Sequence, residues 1–260
     1  MRVAIMRPRD RLALSAQMAR ELGMEPICAS PVEVSENDDQ DFQDFMDELL
    51  DGNVETVVFT SASGVKVSME LADRRGMREE LGEMLRSVSI ISIGPHTSAP
   101  LEREGLSVDF MPREFSSTGI VSDVPEPMVR GRRVWLLRSD HGSGSLVEGL
   151  LDLGAILREV VVYRLERNLD GEDMVSLLRS VSRGEVDAFA FTSALSARTF
   201  VEAGALLMGE DRLRNMLERG IVGAIGEPTS KALDSMGVRV DTVPRDADFR
   251  ELLQSIRSMR

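Results

Sequence analysis

The chain repeats itself. "IGPHTSAPLEREGLSVDFMP" from Ile93 and "IGEPTSKALDSMGVRVDTVP" from Ile225 agree at nine of twenty positions, with 225 − 93 = 132. Ordinary residue usage gives about one or two such identities by chance. The tetrapeptide Phe59-Thr60-Ser61-Ala62 recurs as Phe191-Thr192-Ser193-Ala194 at the same offset, 191 − 59 = 132. "RVAIMRPRD" from Arg2 resembles "RVWLLRSDH" from Arg133, where 133 − 2 = 131, and "ELGMEPI" and "DLGAILR" keep that spacing. A period this long implies two tandem units, roughly 1–130 and 131–260, with one indel per repeat accounting for both offsets.

Within each unit, short apolar runs alternate with helical patterns. "VAIM" reads as a strand, and "DRLALSAQMARELG" as a helix with Leu12, Ala16 and Ala19 in register and Gly23 as its stop. "EPICASPVEV" reads as extended, its prolines favouring an exposed or linking strand. "DFQDFMDELLDG" is an acidic amphipathic helix, "TVVFT" a buried strand and "GVKVSMELADRRG" a helix. "VSIISIG", "TSAPLEREG" and "SVDFMP" follow as strand, helix and strand. Such alternation predicts α/β architecture, with about five parallel strands per unit covered on both faces.

Composition narrows the functional classes. The formal net charge of −13 argues against a broad nucleic-acid surface, which needs clustered Lys and Arg. A local anion site built from backbone amides and a few arginines stays compatible with it. Cys28 is the single cysteine, so no intrachain disulfide can form. With no apolar stretch of membrane-spanning length and no signal-peptide pattern, the expectation is a cytoplasmic protein without membrane attachment.

Familiar catalytic signatures are absent. There is no phosphate-loop motif, no Cys/His metal spacing and no nucleophile elbow. "HGSGS" at His141–Ser145 lacks the full dinucleotide fingerprint and reads as a strand-to-helix turn. Ser139-Asp140-His141 is too tight in sequence to form a triad.

What recurs instead is hydroxyl chemistry at strand ends. Thr60-Ser61, Thr192-Ser193, His96-Thr97-Ser98 and Pro228-Thr229-Ser230 each follow an apolar run and precede a helix, with Ser63 as a further cap. Such residues cap helices, and the amides beside them bind anions. In open parallel sheets the ligand crevice lies at these carboxyl ends. Arg7 and Arg138 occupy matched strand ends, where arginine pairs with either a ligand carboxylate or a neighbouring acid. Tyr163, the only tyrosine, needs a hydroxyl partner if buried and is a proton donor if it faces a cleft.

The ordered set "FTSASGV", "IGPHTSAPLEREG", "VDFMP", "LLRS", "VVVYR", "FTSALSARTF" and "IGEPTSKALDSMGV" resembles the uroporphyrinogen-III synthase family, from Val3 to about Leu253. The resemblance implies two flavodoxin-like parallel-sheet domains joined by two extended crossing segments, "ASPVEV" and "VVVYRL". It replaces the tandem boundary with a discontinuous domain of residues 1–32 and 165–260, a second of residues 33–164, and an active cleft between them. The implied reaction closes the linear tetrapyrrole hydroxymethylbilane to uroporphyrinogen III, losing water and inverting the terminal ring, with no cofactor or metal. A monomer is implied, with hand-over of substrate from hydroxymethylbilane synthase. Tyr163 is the implied proton donor for the departing hydroxyl. Together with the strand-end reading, substrate contacts are expected at Arg7, Thr60, Ser61, Ala62, Ser63, His96, Thr97, Arg138, Ser139, Thr192, Ser193, Pro228 and Thr229. Ser63 stands where many relatives have Asn. Pro100 suits only a first turn, which predicts that its helix begins near Ser98. A non-catalytic tetrapyrrole-binding or regulatory module on the same scaffold is the alternative.

Overall fold

The computed structural model describes residues 1–259. The first elements are β1 (Arg2–Met6), α1 (Arg9–Glu21), β2 (Glu25–Ala29), β3 (Val32–Glu36), α2 (Gln40–Leu50), β4 (Thr56–Phe59), α3 (Ala62–Arg74), α4 (Arg78–Leu85), β5 (Ser89–Ser92) and α5 (Pro95–Arg103). There follow α6 (Ser117–Asp123), β6 (Arg133–Ser139), α7 (Gly144–Asp152), β7 (Ile156–Arg167), α8 (Glu172–Ser182), β8 (Ala188–Phe191), α9 (Ala194–Met208), α10 (Glu210–Arg219), β9 (Ile221–Ala224), α11 (Glu227–Ser235) and α12 (Phe249–Ser258). The chain divides into two compact units, Met1–Val34 with Glu166–Arg260, and Ser35–Leu165. β3 and β7 run through the two division points.

Unit 1 holds a four-stranded sheet in the order β2-β1-β8-β9, with every pair parallel. Period-two alternation splits β1 between two cores. Ala4 and Met6 pack with α8, α9 and α10 residues such as Leu177, Phe200 and Leu213. Val3 and Ile5 pack with Ala19, Leu252, Leu253 and Ile256 on the other face. Phe200 stacks edge-on with Phe191 at 5.5 Å, which gives this aromatic-poor chain a specific core contact.

Unit 2 holds a five-stranded sheet in the order β3-β7-β6-β4-β5. Trp135 and Leu137 face a core with Phe45 and Leu71, whereas Val134 and Leu136 face Ile120, Leu146 and Leu150. The repeat explains the topology. β4 and β8 start at matched positions (188 − 56 = 132), as do β5 and β9 (221 − 89 = 132), β1 and β6 (133 − 2 = 131), and β2 and β7 (156 − 25 = 131). The series β7-β6-β4-β5 therefore matches β2-β1-β8-β9 strand for strand. Each sheet combines one strand pair from each half of the repeat, so the simple tandem division of the sequence does not describe the packing.

Two sequence expectations need correction. "SVDFMP" and its repeat form no full strand: only isolated parallel bridges link Ile91 to Phe110 and Gly223 to Thr242. Aspartate takes the place of the missing ladder. Asp109 Oδ2 accepts the Ile90 N–H at 2.7 Å, and Asp241 Oδ2 accepts the Val222 N–H at 2.9 Å. A side chain there satisfies a strand donor that would otherwise be orphaned. The second correction concerns α5, which begins at Pro95 rather than Ser98. Pro95 occupies the favoured first helical position, and the Thr97 and Ser98 N–H groups reach back to the Gly94 carbonyl at 2.9 and 3.0 Å. Pro100 then lies inside the helix, leaving the carbonyl of the exposed His96 without its helical donor and open to water. The extended "EPICASPVEV" also resolves into β2 and β3, interrupted at Ser30 and Pro31.

Candidate functional site

The strand ends of unit 2 enclose a polar recess of about 200 Å³, lined by Thr60, Ser61, Ile93, Ser117, Arg138, Ser139, His141, Gly142, Ser143, Leu146 and Tyr163. Five of the expected residues meet here: Thr60, Ser61, Arg138, Ser139 and Tyr163.

A register irregularity aims Tyr163. Arg138 pairs with Val161, but Ser139 pairs with Tyr163, so Val162 is an extra residue on β7. Bulges of this kind re-aim side chains. Val160, Val162 and Tyr163 consequently all join the same core, which strict alternation forbids. The ring is buried, 6 % exposed, while its hydroxyl meets Ser61 Oγ at 2.9 Å. Ser61 is also the N-cap of α3 and accepts the Gly64 N–H at 2.9 Å. Since that Oγ accepts from Gly64, its own proton is free for Tyr163 Oη, and the phenol proton is then free for a ligand. Gly64 permits this closeness: a Cβ there would lie 3.1 Å from Ser61 Oγ.

The next loop holds Tyr163 from behind. The Asp140 N–H donates to the Tyr163 carbonyl at 3.3 Å, and Asp140 Oδ1 accepts the Leu165 N–H at 3.1 Å. His141 Nδ1 lies 2.9 Å from the same oxygen. Partial burial opposes the charge on Asp140, but the hydrogen bonds from His141 and Leu165 outweigh it, and the carboxyl is held below its ordinary value.

Arg138 is the recess cation, 9 % exposed. Its Nη2 lies 2.7 Å from Glu159 Oε2 and its Nη1 donates to the Ser143 carbonyl at 2.7 Å. Nε is buried without a partner. In this conformation the acid-pairing reading holds: both terminal nitrogens are engaged, and Nε is buried. Gly142 presses on it, and a Cβ there would approach Arg138 Cδ and Nε to 2.6 Å.

The remaining candidates lie elsewhere. Ala62 and Ser63 form the first turn of α3, and His96 and Thr97 that of α5, outside the recess lining. Thr97 is 3 % exposed, so its side chain presents almost no surface. In unit 1, Thr192 Oγ1 donates to the Met6 carbonyl at 2.9 Å. Ser193 caps α9 by accepting the Ser196 N–H at 3.1 Å, matching Ser61 at 193 − 61 = 132. Pro228 is exposed in the first turn of α11, beside a buried Thr229. Arg7 donates to Ser15 Oγ at 3.1 Å and stacks 4.4 Å from the Phe249 ring centroid. Burial, followed by the charge of Arg11, lowers its pKa, and its Nε has no partner. These pairings favour a capping or packing role for Thr192, Ser193 and Arg7 in this conformation.

Sequence reasoning missed Ser117, Gly142 and Ser143. The glycine-rich "HGSGS" carried a signal for the latter two, read there as a turn. Ser117 opens α6 at the position that matches Phe249, the first residue of α12 (249 − 117 = 132). Among the described residues, no group of three or more His, Cys, Asp or Glu side chains could hold a metal ion. Among the described residues, no helix is long and apolar enough to cross a membrane.

Comparison with known proteins bears on this geometry. The family model described as uroporphyrinogen-III synthase HemD matches residues 13–254. A protein of Archaeoglobus fulgidus is 28 % identical over 261 residues, covering all of both chains. The uroporphyrinogen-III synthase of Chlorobaculum parvum is 27 % identical over 173 residues, 66 % of this chain and 67 % of its own. In structure, uroporphyrinogen-III synthetase from Helicobacter pylori superposes with a TM-score of 0.68 at 18 % identity, covering 100 % of both chains. A mutant uroporphyrinogen III synthase from Thermus thermophilus gives 0.66 at 22 % identity, covering 99 % of this chain and 98 % of its own. These two likenesses establish the shared fold. With the family model spanning nearly the whole sequence, the chain belongs to the uroporphyrinogen-III synthase family.

Proposed function

We propose that the protein closes hydroxymethylbilane to uroporphyrinogen III, with loss of water and inversion of the terminal ring. The observation that carries this reading is the Tyr163 hydroxyl, hydrogen-bonded to Ser61 at 2.9 Å in a polar recess that also holds Arg138. Tyr163 Oη donates its proton to the departing hydroxyl, which leaves as water. Ser61 supports the phenol through the Gly64–Ser61–Tyr163 chain of hydrogen bonds. Arg138, the cation of the recess, takes a substrate carboxylate there. The protein's main task is conformational: it holds the chain folded so that the substituted carbon of the last ring is attacked. Orientation of this kind can supply a large share of a barrier. The reading needs no cofactor or metal. The strand-end turns of unit 1, at Thr192, Ser193, Pro228 and Thr229, are proposed to contact the same substrate. The protein is further proposed to work as a cytoplasmic monomer.

The test supplies purified protein with enzymatically generated hydroxymethylbilane, oxidises the products and separates the porphyrin isomers. Formation of the type III isomer is expected. Only the type I isomer, at the rate without protein, overturns the reading and leaves the non-catalytic binding module in its place.

A further inference from the structure

Phe115 is 58 % exposed, and among the described residues it is the one aromatic of the exposed large apolar side chains; the others are Leu, Val, Ile and Met. A single exposed aliphatic residue needs no explanation. Three features set Phe115 apart.

First, it stands at the rim of the recess. Ser117, two residues on, lines that recess, and so does Ile93, the neighbour of the glycine beneath the ring. Second, space has been cleared for it. A Cβ on Gly94 would lie 3.1 Å from Phe115 Cβ and 3.2 Å from Cγ. Gly94 has φ 176°, extended backbone open to any residue, and a Cβ there would press on the Phe115 side chain. Third, the loop is fixed on both sides of the ring. The Arg113 N–H donates to Asp123 Oδ2 at 3.1 Å and the Ser116 N–H to the Glu114 carbonyl at 2.7 Å. Ser116 Oγ in turn caps α6 by accepting the Gly119 N–H at 2.9 Å. An aromatic side chain has few rotamers to lose, so a ring on an anchored loop is preorganised for contact. Met111, four residues before it, is also exposed, at 40 %, and its sulfur lies 3.7 Å from Ser98 Oγ.

We propose that Phe115 is a substrate-binding residue, a platform on which one pyrrole ring of the linear tetrapyrrole stacks while a carboxylate reaches Arg138. This rests on the synthase reading above. A pyrrole is flat and π-rich, and offset stacking on Phe suits it. The recess at about 200 Å³ holds a substituent rather than a tetrapyrrole, so ring surfaces must be met at its rim.

The test measures kcat and KM for the full chain and for Phe115→Ala, Phe115→Leu and Phe115→Trp. Phe115→Ala is expected to raise KM about 5-fold, the equivalent of one aromatic contact, with an unchanged melting temperature. Phe115→Leu is expected to follow Ala, because apolar bulk without a π face does not replace the ring. Phe115→Trp is expected to stay near wild type, and its indole emission to be quenched when uroporphyrin III is added. A wild-type KM in Phe115→Ala, or in Phe115→Leu, overturns the proposal while leaving the synthase reading intact. Absence of type III product from the wild-type protein overturns both together.

Discussion

Ser61 Oγ accepts the Gly64 N–H at 2.9 Å and turns its own proton toward Tyr163 Oη, also at 2.9 Å. One oxygen thereby joins the first turn of α3 to the end of β7. A hydroxyl that caps a helix is usually a local device; here the cap also fixes the orientation of the candidate acid.

Replacing Tyr163 with Phe removes the proton donor and keeps the ring in its core. Type III formation is expected to slow by about 100-fold, the scale of a positioned general acid. Stability is expected to change by only about 1 kcal/mol, one hydrogen bond. Isomer-resolved rates alongside urea melts check both. A wild-type rate would remove Tyr163 from the mechanism.

Ser61→Ala is expected to act on both functions of that oxygen. Loss of the α3 cap costs about 1 kcal/mol, and the rate falls because the phenol loses its support. The matched Ser193→Ala loses a comparable cap on α9, where no tyrosine meets the oxygen. Equal effects of the two variants on kcat would contradict a special role for the Ser61–Tyr163 contact.

Gly142→Ala forces a Cβ into space held by Arg138, whose guanidinium is anchored by Glu159 and Ser143. The arginine must move, at a cost of about 1–3 kcal/mol. Substrate affinity is expected to fall with it, read as a raised KM. An unchanged KM would show that Arg138 does not touch substrate.

Asp140 links acidity to stability. Its folded pKa lies below the ordinary aspartate value of about 3.9. The stabilisation is therefore present above that value and is lost as pH falls through the folded one. Urea melts from neutral pH into acid are expected to be flatter for Asp140→Asn than for the parent. Identical pH slopes would exclude the contribution.

Pro100→Ala restores the N–H that α5 lacks at its midpoint. Removing the interior proline is expected to stabilise the protein by about 1–2 kcal/mol, less than a full helix-proline penalty because alanine also loosens the unfolded chain. A lower melting temperature would mean that the ring packs favourably.

Much of this structure was legible in the repeat. Equal offsets marked homologous strands, and the FTSA copies marked matched caps, because caps are local and their residue types are few. The bulge at Val162 was not legible. Nothing in "EVVVYRLE" distinguishes an extra residue from a regular strand, and only the partner strand reveals it. The Asp109 and Asp241 contacts hid in plain view inside the repeated "VD", since a side-chain acceptor for a neighbouring strand depends on tertiary distance. The helix start at Pro95 was misplaced for an instructive reason. The expectation weighed Pro100 alone, whereas Pro95 occupies the first turn and Pro100 is carried inside the helix. Gly142 and Phe115 acquire meaning only from what lies beside them in space.

The order of the strands has a consequence for how the protein is made. β1 is an inner strand of its sheet, yet its partner β8 begins at Ala188. Unit 2 is one continuous stretch, Ser35–Leu165, and is synthesised whole before β8. Until then β1 has only β2 to pair with in its sheet. During synthesis the nascent chain therefore carries one unit that can close at once, and the first strand of another exposed and waiting for its neighbour.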